Sequence, residues 1–335
     1  MSILSGPTTH AVNILSNSAT MISEIPINVI AASIGKLRGT EDAISFREAF
    51  VDVIATYHAL GDAMRASAQA FKTEQPSDFV TKLDYKRQAI SAEKFEIDPN
   101  SGIGQVFDAY GRIIRLPGRF LLATDEAFKA IAMRQKIYRE AISVGMKAKR
   151  LGKTADEINK EIAQLINNPP ETVREAAEDY ARYKTFQTPV SGQYMTTLQQ
   201  FSNVPPFKFL MPFFQTPTNI IAQVFEHSPA AFATKRFREE IGKGGKHADV
   251  AMARMLAGSG MMGYYVMASM GMFGNETMMT GYGPTEPKAR KNWLDQGFRP
   301  YSFVKKNEDG SYTSTSYSRF DPISGLLAIA ADTGW

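Results

Sequence analysis

Apolar residues recur every three to four positions over long stretches of the chain, a pattern typical of helices that pack side by side. The most regular stretch is 41–72, where successive apolar positions are 4, 3, 4, 3 and 4 residues apart. These positions are Phe46, Phe50, Val53, Tyr57, Leu60 and Met64, and Phe71 follows in the same register. Such an a/d seam packs one helix along another. Its length of about three and a half heptads favours a bundle helix over a long coiled coil.

A second, basic helix is predicted over 124–150. Eight lysines and arginines lie between residues 126 and 153, against two glutamates. A shorter helix is expected near 104–116, ending before Pro117 because proline interrupts helices. Thr154 and Glu157 have the spacing of a capping box, which starts another helix. Two interpretations of the basic helix stay open: a solvated face of a bundle, or contact with DNA or anionic lipid.

The pattern changes at 185–227, which we interpret as an extended connection rich in proline and phenylalanine. Five prolines between residues 185 and 219 exclude one continuous helix or a central strand. Ser228 and Pro229 then have the residue types of a helix start, and Gly242 those of its end. Residues 228–279 are therefore predicted to form a helical hairpin whose second helix is rich in methionine and glycine.

That second helix carries no charge between residues 255 and 275, and nine of the 16 methionines lie between Met252 and Met279. An uninterrupted helix of this length would be about 30 Å long, close to the hydrocarbon thickness of a bilayer. Small residues let helices approach closely, and methionine adapts to changing surroundings. Burial within an assembly and conditional membrane insertion both stay open. The residues expected to pack against a membrane or another subunit are Met255, Ser259, Gly260, Gly263, Tyr264, Tyr265, Met267 and Gly271.

The last region, 280–335, is predicted to contain a β-hairpin and the start of a further helix. Phe298–Lys306 and Ser311–Arg319 flank a short turn at Asn307–Gly310. The final helix, Ile323–Ala331, stops soon after it starts, so we expect the chain to be a piece of a longer protein. With 1–184 helical, the expected fold is mainly α, an elongated multi-helix assembly with a small C-terminal hairpin.

Composition argues against several classes of chemistry. The chain has no cysteine, and its four histidines lie too far apart in sequence for a zinc motif. No phosphate-binding loop or nucleophile-elbow motif occurs, and Gly242–Lys246 follows a helix rather than a strand, which favours a linker. A formal charge of +4 and a pI near 9.0 are too small a bias to establish DNA binding. We therefore expect no enzyme activity, no metal and no cofactor.

Several segments, in order along the chain, resemble a module of very large phage proteins. They are LSGPTTHAVNILSN, RLPGRFLLATDEAFK, MPFFQTPTNI, GYGPTEPKARKNWLDQGFRPYSF and YSRFDPISGLLAIAAD. The family is that of internal virion proteins, the core or DNA-ejection proteins of podovirus-type tailed phages, together with related polyvalent phage proteins. Some members carry a lytic transglycosylase domain elsewhere, but no Glu-Ser dipeptide of its signature occurs in this sequence.

The resemblance implies a structural protein that is stored in the virion core near the portal and ejected at infection. It would then help to form an oligomeric conduit for the genome across the host periplasm and inner membrane. The implied partners are copies of itself, other core or ejection proteins, the portal, the host inner membrane and, non-specifically, phage DNA. Two alternatives stay open: a non-catalytic linker segment of a peptidoglycan-cleaving or DNA-modifying phage polyprotein, and a virion scaffold with no membrane stage.

Overall fold

The structure is a computed structural model that describes residues 7–76, 92–189, 215–270, 272, 277–318 and 323–334. The expected mainly α class is confirmed, with one small antiparallel sheet near the C-terminus. The chain divides into two compact units, each built from two segments. They are Met1–Asn17 with Phe50–Asn219, and Ser18–Ala49 with Ile220–Trp335.

The described helices follow one another in this order. They are α1 (Pro7–Ile22), α2 (Glu24–Arg38), α3 (Phe46–Thr73), α4 (Gly102–Arg150), α5 (Ala155–Asn167), α6 (Glu171–Lys184), α7 (Gln215–Glu226), α8 (Lys235–Lys243), α9 (Gly245–Ser269), α10 (Pro287–Asp295) and α11 (Ile323–Gly334). The strands are β1 (Thr277–Met279), β2 (Ser302–Lys306) and β3 (Tyr312–Ser316).

In the first unit, α3 runs antiparallel to the second half of α4, and its buried face consists of small residues. Ala55, Ala59 and Ala63 are at most 4% exposed. Asp52, 1% exposed, accepts a hydrogen bond from Nε of Arg139 at 2.7 Å. One turn further along α3, Thr56 Oγ1 accepts a hydrogen bond of 2.9 Å from Gln135, so polar contacts fix the register of the two helices.

The α3 seam predicted to pack inside a bundle faces outward in this chain. Its residues are 48–74% exposed: Phe46, Phe50, Val53, Tyr57, Leu60 and Met64. Only Phe71 at the end of the seam is half-buried, against Phe120 and the guanidinium of Arg119. The bundle interpretation is therefore wrong for the described part of this chain, because periodicity identifies a shared face but does not say whether that face finds a partner within the chain.

A single helix, α4, replaces the two helices expected at 104–116 and 124–150. Pro117 lies inside it, although an internal proline costs about 3 kcal/mol. Arg115 and Arg119 flank Pro117 and bind the end of α3: Arg115 pairs with Glu74 at 3.2 Å, and Arg119 donates to the Phe71 carbonyl at 2.8 Å. These tertiary contacts on both sides of the proline stabilise the continuous helix. The capping box at Thr154 and Glu157 is confirmed.

In the second unit, α9 packs along α2 and α11. Its first half contributes Ala253 to a cluster with Ile27 and Ala31 of α2. A second cluster combines Leu327 of α11 with Met279 of β1 and the adjoining Tyr317, whose hydroxyl donates to the Thr280 carbonyl at 2.7 Å. The sheet and the last helix therefore share one core with α9.

The predicted C-terminal hairpin is confirmed, with Lys306 opposite Tyr312 next to the turn. Sequence analysis missed β1, which pairs with β2, and α10, which Glu286 caps by accepting from the Ala289 amide at 2.8 Å. The helix expected from Ser228 begins instead at Lys235, because the Thr234 hydroxyl caps it. Residues 215–226 of the expected extended connection are helical, and 190–214 lie outside the described residues.

We expect Asp52→Ala to lower the free energy of unfolding by about 3–5 kcal/mol, because Arg139 would lose the carboxylate that compensates its largely buried charge. Asp62→Ala is the matched control on the same helix. Its carboxylate is 35% exposed and pairs with Arg65 and Arg134, so the loss should stay below about 1 kcal/mol. Chemical denaturation of both variants measures the difference, and equal losses would contradict the assigned role of Asp52.

Candidate functional site

The methionine-rich helix α9 ends at Ser269, earlier than the stretch to Asn275 that the sequence suggested. The uncharged part that is helical, 255–269, is therefore about 22 Å long, well short of the roughly 30 Å of a bilayer interior. Upstream of it, the same helix buries the charged residues Asp249 and Arg254. As described, α9 is a packing element of the second unit with one open side, and it is too short to cross a bilayer by its uncharged part.

The inner face of α9 carries small residues in its first half and larger residues near its C-terminal end. Ala248, Ala251 and Ala253 are at most 2% exposed. Further along, Tyr265 packs with Met262 against the core of sheet and α11. Burial, with a smaller contribution from neighbouring Tyr264, raises the pKa of Tyr265, so its hydroxyl remains neutral over the physiological range.

Arg254 anchors α9 to two other helices of its unit. Its guanidinium lies 3.1 Å from Glu240 of α8 and 3.6 Å from Glu226 of α7, and its side chain is 7% exposed. Burial raises the pKa of Glu240, but the charges of Arg254 and Arg236 outweigh it and hold that pKa below its usual value. The pair therefore stays ionised at neutral pH, and it fixes which side of α9 faces the core.

Gly258 is the point of closest backbone approach on α9. A Cβ atom at this position would lie 1.8 Å from the carbonyl oxygen of His227, which no rotamer change could relieve. Gly260 and Gly263 differ, because a Cβ atom there would meet nothing within 4 Å. The glycines of one helix therefore have two roles: Gly258 permits contact within the chain, whereas Gly260 and Gly263 leave a shallow surface open.

The outer face of α9 carries an apolar stripe that continues one residue past the helix end. Its members are 4, 3, 4 and 3 residues apart, and we call them the α9 stripe: Leu256, Gly260, Gly263, Met267 and Met270. Leu256 and Met270 are more than half exposed. Exposed apolar surface bordered by bare glycines suits contact with a second helix or with lipid, since it offers close approach without charged groups to desolvate.

Four of the eight predicted packing residues are exposed on this outer face: Gly260, Gly263, Tyr264 and Met267. Met255 and Ser259 are half-buried, Tyr265 points into the core, and Gly271 lies outside the described residues. Sequence analysis missed Leu256 and Met270 in the stripe. The 4-3-4-3 spacing in the uncharged stretch is the signal that identifies both residues.

On length and composition alone, the described residues include one helical stretch that could cross a membrane, His10–Arg38, with 44% of its apolar window buried. This stretch joins α1 and α2 and buries Glu24 and Asn28. The stretch that meets the criterion is therefore different from the methionine-rich helix singled out by the sequence.

The basic residues of 126–153 are largely neutralised by carboxylates. Five of the eight pair with acidic residues: Lys129, Arg134, Lys136, Arg139 and Lys153. Lys147 and Lys149, in the last turn of α4, are exposed. This distribution leaves less positive charge for DNA than the sequence indicated. Among the described residues, no group of three or more histidine, aspartate or glutamate side chains is placed to hold a metal ion.

Comparisons of the chain with models of protein families, with curated proteins and with solved structures found no match.

The two kinds of glycine on α9 should respond oppositely to the same substitution. We expect Gly258→Ala to destabilise the protein by about 1–3 kcal/mol, because the methyl group overlaps the His227 carbonyl. Gly260→Ala should be neutral or stabilising by up to about 1 kcal/mol, since alanine favours a helix more than glycine does. Thermal unfolding monitored by circular dichroism measures both. Equal effects at the two positions would show that the contact at Gly258 is assigned wrongly.

Proposed function

We propose that this protein is a non-catalytic structural component of a phage virion interior, ejected at infection to help build an oligomeric conduit for the genome. The observation that carries the proposal is the α9 stripe, which exposes apolar side chains and two bare glycines along one side of a helix anchored on the other. The ordered resemblance to core and ejection proteins supports the virion context.

The stripe suits a protein that exchanges one set of neighbours for another. Methionine is unbranched and adapts its shape to different surroundings, and glycine allows a second helix or lipid chains to approach the backbone. In the particle, the stripe would pack against a neighbouring subunit or another core protein near the portal. After release it would contact the host inner membrane or a new subunit of the conduit.

Because the described helix is too short to span a bilayer by its uncharged part, we propose that α9 contacts lipid from the membrane surface. An exposed apolar face of a helix can enter the boundary between headgroups and acyl chains without crossing the membrane. Arg254 stays in its buried pair with Glu240 in this arrangement, so membrane contact does not require unfolding of the second unit.

Flotation of the full chain with phosphatidylethanolamine–phosphatidylglycerol vesicles tests this proposal. We expect the wild type to float and both Gly263→Lys and Met267→Lys to float several-fold less, because each places a charge in the apolar surface that must enter the lipid boundary. Gly242→Lys is the matched control, since it adds the same charge at an exposed helical glycine of α8 with open space around it.

Flotation of the two stripe variants to the same extent as Gly242→Lys would exclude the stripe as the membrane contact. A wild-type chain that never floats but assembles would favour a virion scaffold without a membrane stage. Hydrolysis of peptidoglycan by the chain would favour the competing class, a segment of a peptidoglycan-cleaving polyprotein.

A further inference from the structure

The outward-facing seam of α3 is a second apolar surface, and the proposed function does not use it. It extends over five turns as Phe46, Phe50, Val53, Tyr57, Leu60 and Met64, and Ile54, 56% exposed, widens it. Tyr57 and Met64 are each more than 70% exposed. The six evenly spaced residues form the α3 seam, and Ile54 lies beside it. Monomeric proteins rarely expose so long a continuous apolar strip, so such strips mark contact surfaces.

The α3 seam cannot turn inward, because the opposite face of the helix is fixed. Asp52 is bound by Arg139, and Ala55, Ala59 and Ala63 on the same side of the helix are at most 4% exposed. Rotating α3 to bury Tyr57 and Leu60 would break the Asp52–Arg139 pair and place large side chains in a buried face now occupied by alanine. Burial of the seam therefore requires a partner outside the described part of the chain.

The spacing of the α3 seam allows it to pack against the same seam on a second copy of the helix. Alternating steps of 3 and 4 residues place side chains as knobs that insert into holes between equivalent side chains on a facing helix. Within the seam, no charged residue interrupts the apolar positions from Phe50 to Met64, so two copies would bury no charge there. Along one border lie Ile54, Gly61 and Ala68, and the small residues among them permit close approach of a second helix.

The exposed area is close to what a stable pair requires. A whole aromatic side chain offers about 150–250 Å², and at the exposures observed the six seam side chains and Ile54 together expose on the order of 700 Å² per copy. Stable interfaces bury about 800 Å² per partner. An identical seam on a second copy supplies the same apolar area with the same spacing. The same residues can therefore form both sides of a symmetric interface.

We propose that the α3 seam is the surface through which two copies of this chain pair, helix against helix. The inference deepens the proposed function, since it names a self-association surface for the conduit. The pairing itself rests on α3 alone and needs no membrane.

Sedimentation velocity of the full chain tests the pairing. We expect the wild type to sediment as a dimer or larger species at micromolar concentration. The double variant Tyr57→Glu/Leu60→Glu should be monomeric, with self-association weakened more than about a hundredfold, because the charges would be desolvated in the interface. Leu37→Glu is the matched control. Leu37 is an apolar residue of α2 with 88% exposure and lies outside the seam, and this variant should assemble like the wild type.

Because Tyr57 and Leu60 are exposed in the single chain, the double variant should keep the helical circular-dichroism spectrum of the wild type. Its melting temperature should equal that of wild type diluted to the monomeric state. If the fold is lost, the single variant Tyr57→Glu replaces it in the same measurement. A wild type that is monomeric, a folded seam variant that assembles like the wild type, or dissociation by Leu37→Glu alone would each overturn the proposal.

The seam variants should still float with vesicles, because the α9 stripe lies on a different helix. Loss of pairing with retained flotation therefore supports this inference independently. Pairing without flotation would contradict the membrane stage of the proposed function and leave the seam interface intact.

Discussion

The rotation of α3 about its own axis is the constraint on which the described first unit depends. A carboxylate as deeply buried as that of Asp52 is tolerated only with its partner, and Arg139 reaches it from the facing helix while also donating to Tyr180. With that side fixed, the buried positions that follow Asp52 on α3 are the alanines Ala55, Ala59 and Ala63. The large apolar side chains are left on the outside, where contact with water is unfavourable.

A similar division occurs in the second unit. Arg254 is held between two carboxylates, and Gly258 lies against a backbone carbonyl, so the inner side of α9 is defined by charge pairing and by the absence of a side chain. Its opposite side keeps leucine, methionine and two bare glycines exposed. In both helices the specific contacts lie inward and the adaptable apolar surface lies outward, which is the arrangement expected of a subunit that is completed by its neighbours.

The sequence predicted the class of fold, the capping box and the terminal hairpin, since each depends on residues close together in the chain. It also identified the apolar residues of the α3 seam but not that they face outward, because the contact that decides this joins Asp52 to Arg139, far along the sequence. Pro117 failed as a helix stop for the same reason: Arg115 and Arg119 stabilise the helix through contacts with the distant end of α3. The sequence alone does not distinguish Gly258 from Gly260 and Gly263. The difference is the His227 carbonyl, which lies beside Gly258 in the fold.

Hydroxyl-radical footprinting of the wild type tests most directly whether assembly covers the outward apolar surfaces. Tyr57 and Tyr282 are 73% and 52% exposed in the single chain, and only Tyr57 lies in the seam. As the concentration rises through the assembly transition, oxidation of Tyr57 and Met64 should fall several-fold while oxidation of Tyr282 stays constant. Unchanged oxidation of Tyr57 and Met64 in a fully assembled sample would contradict the account.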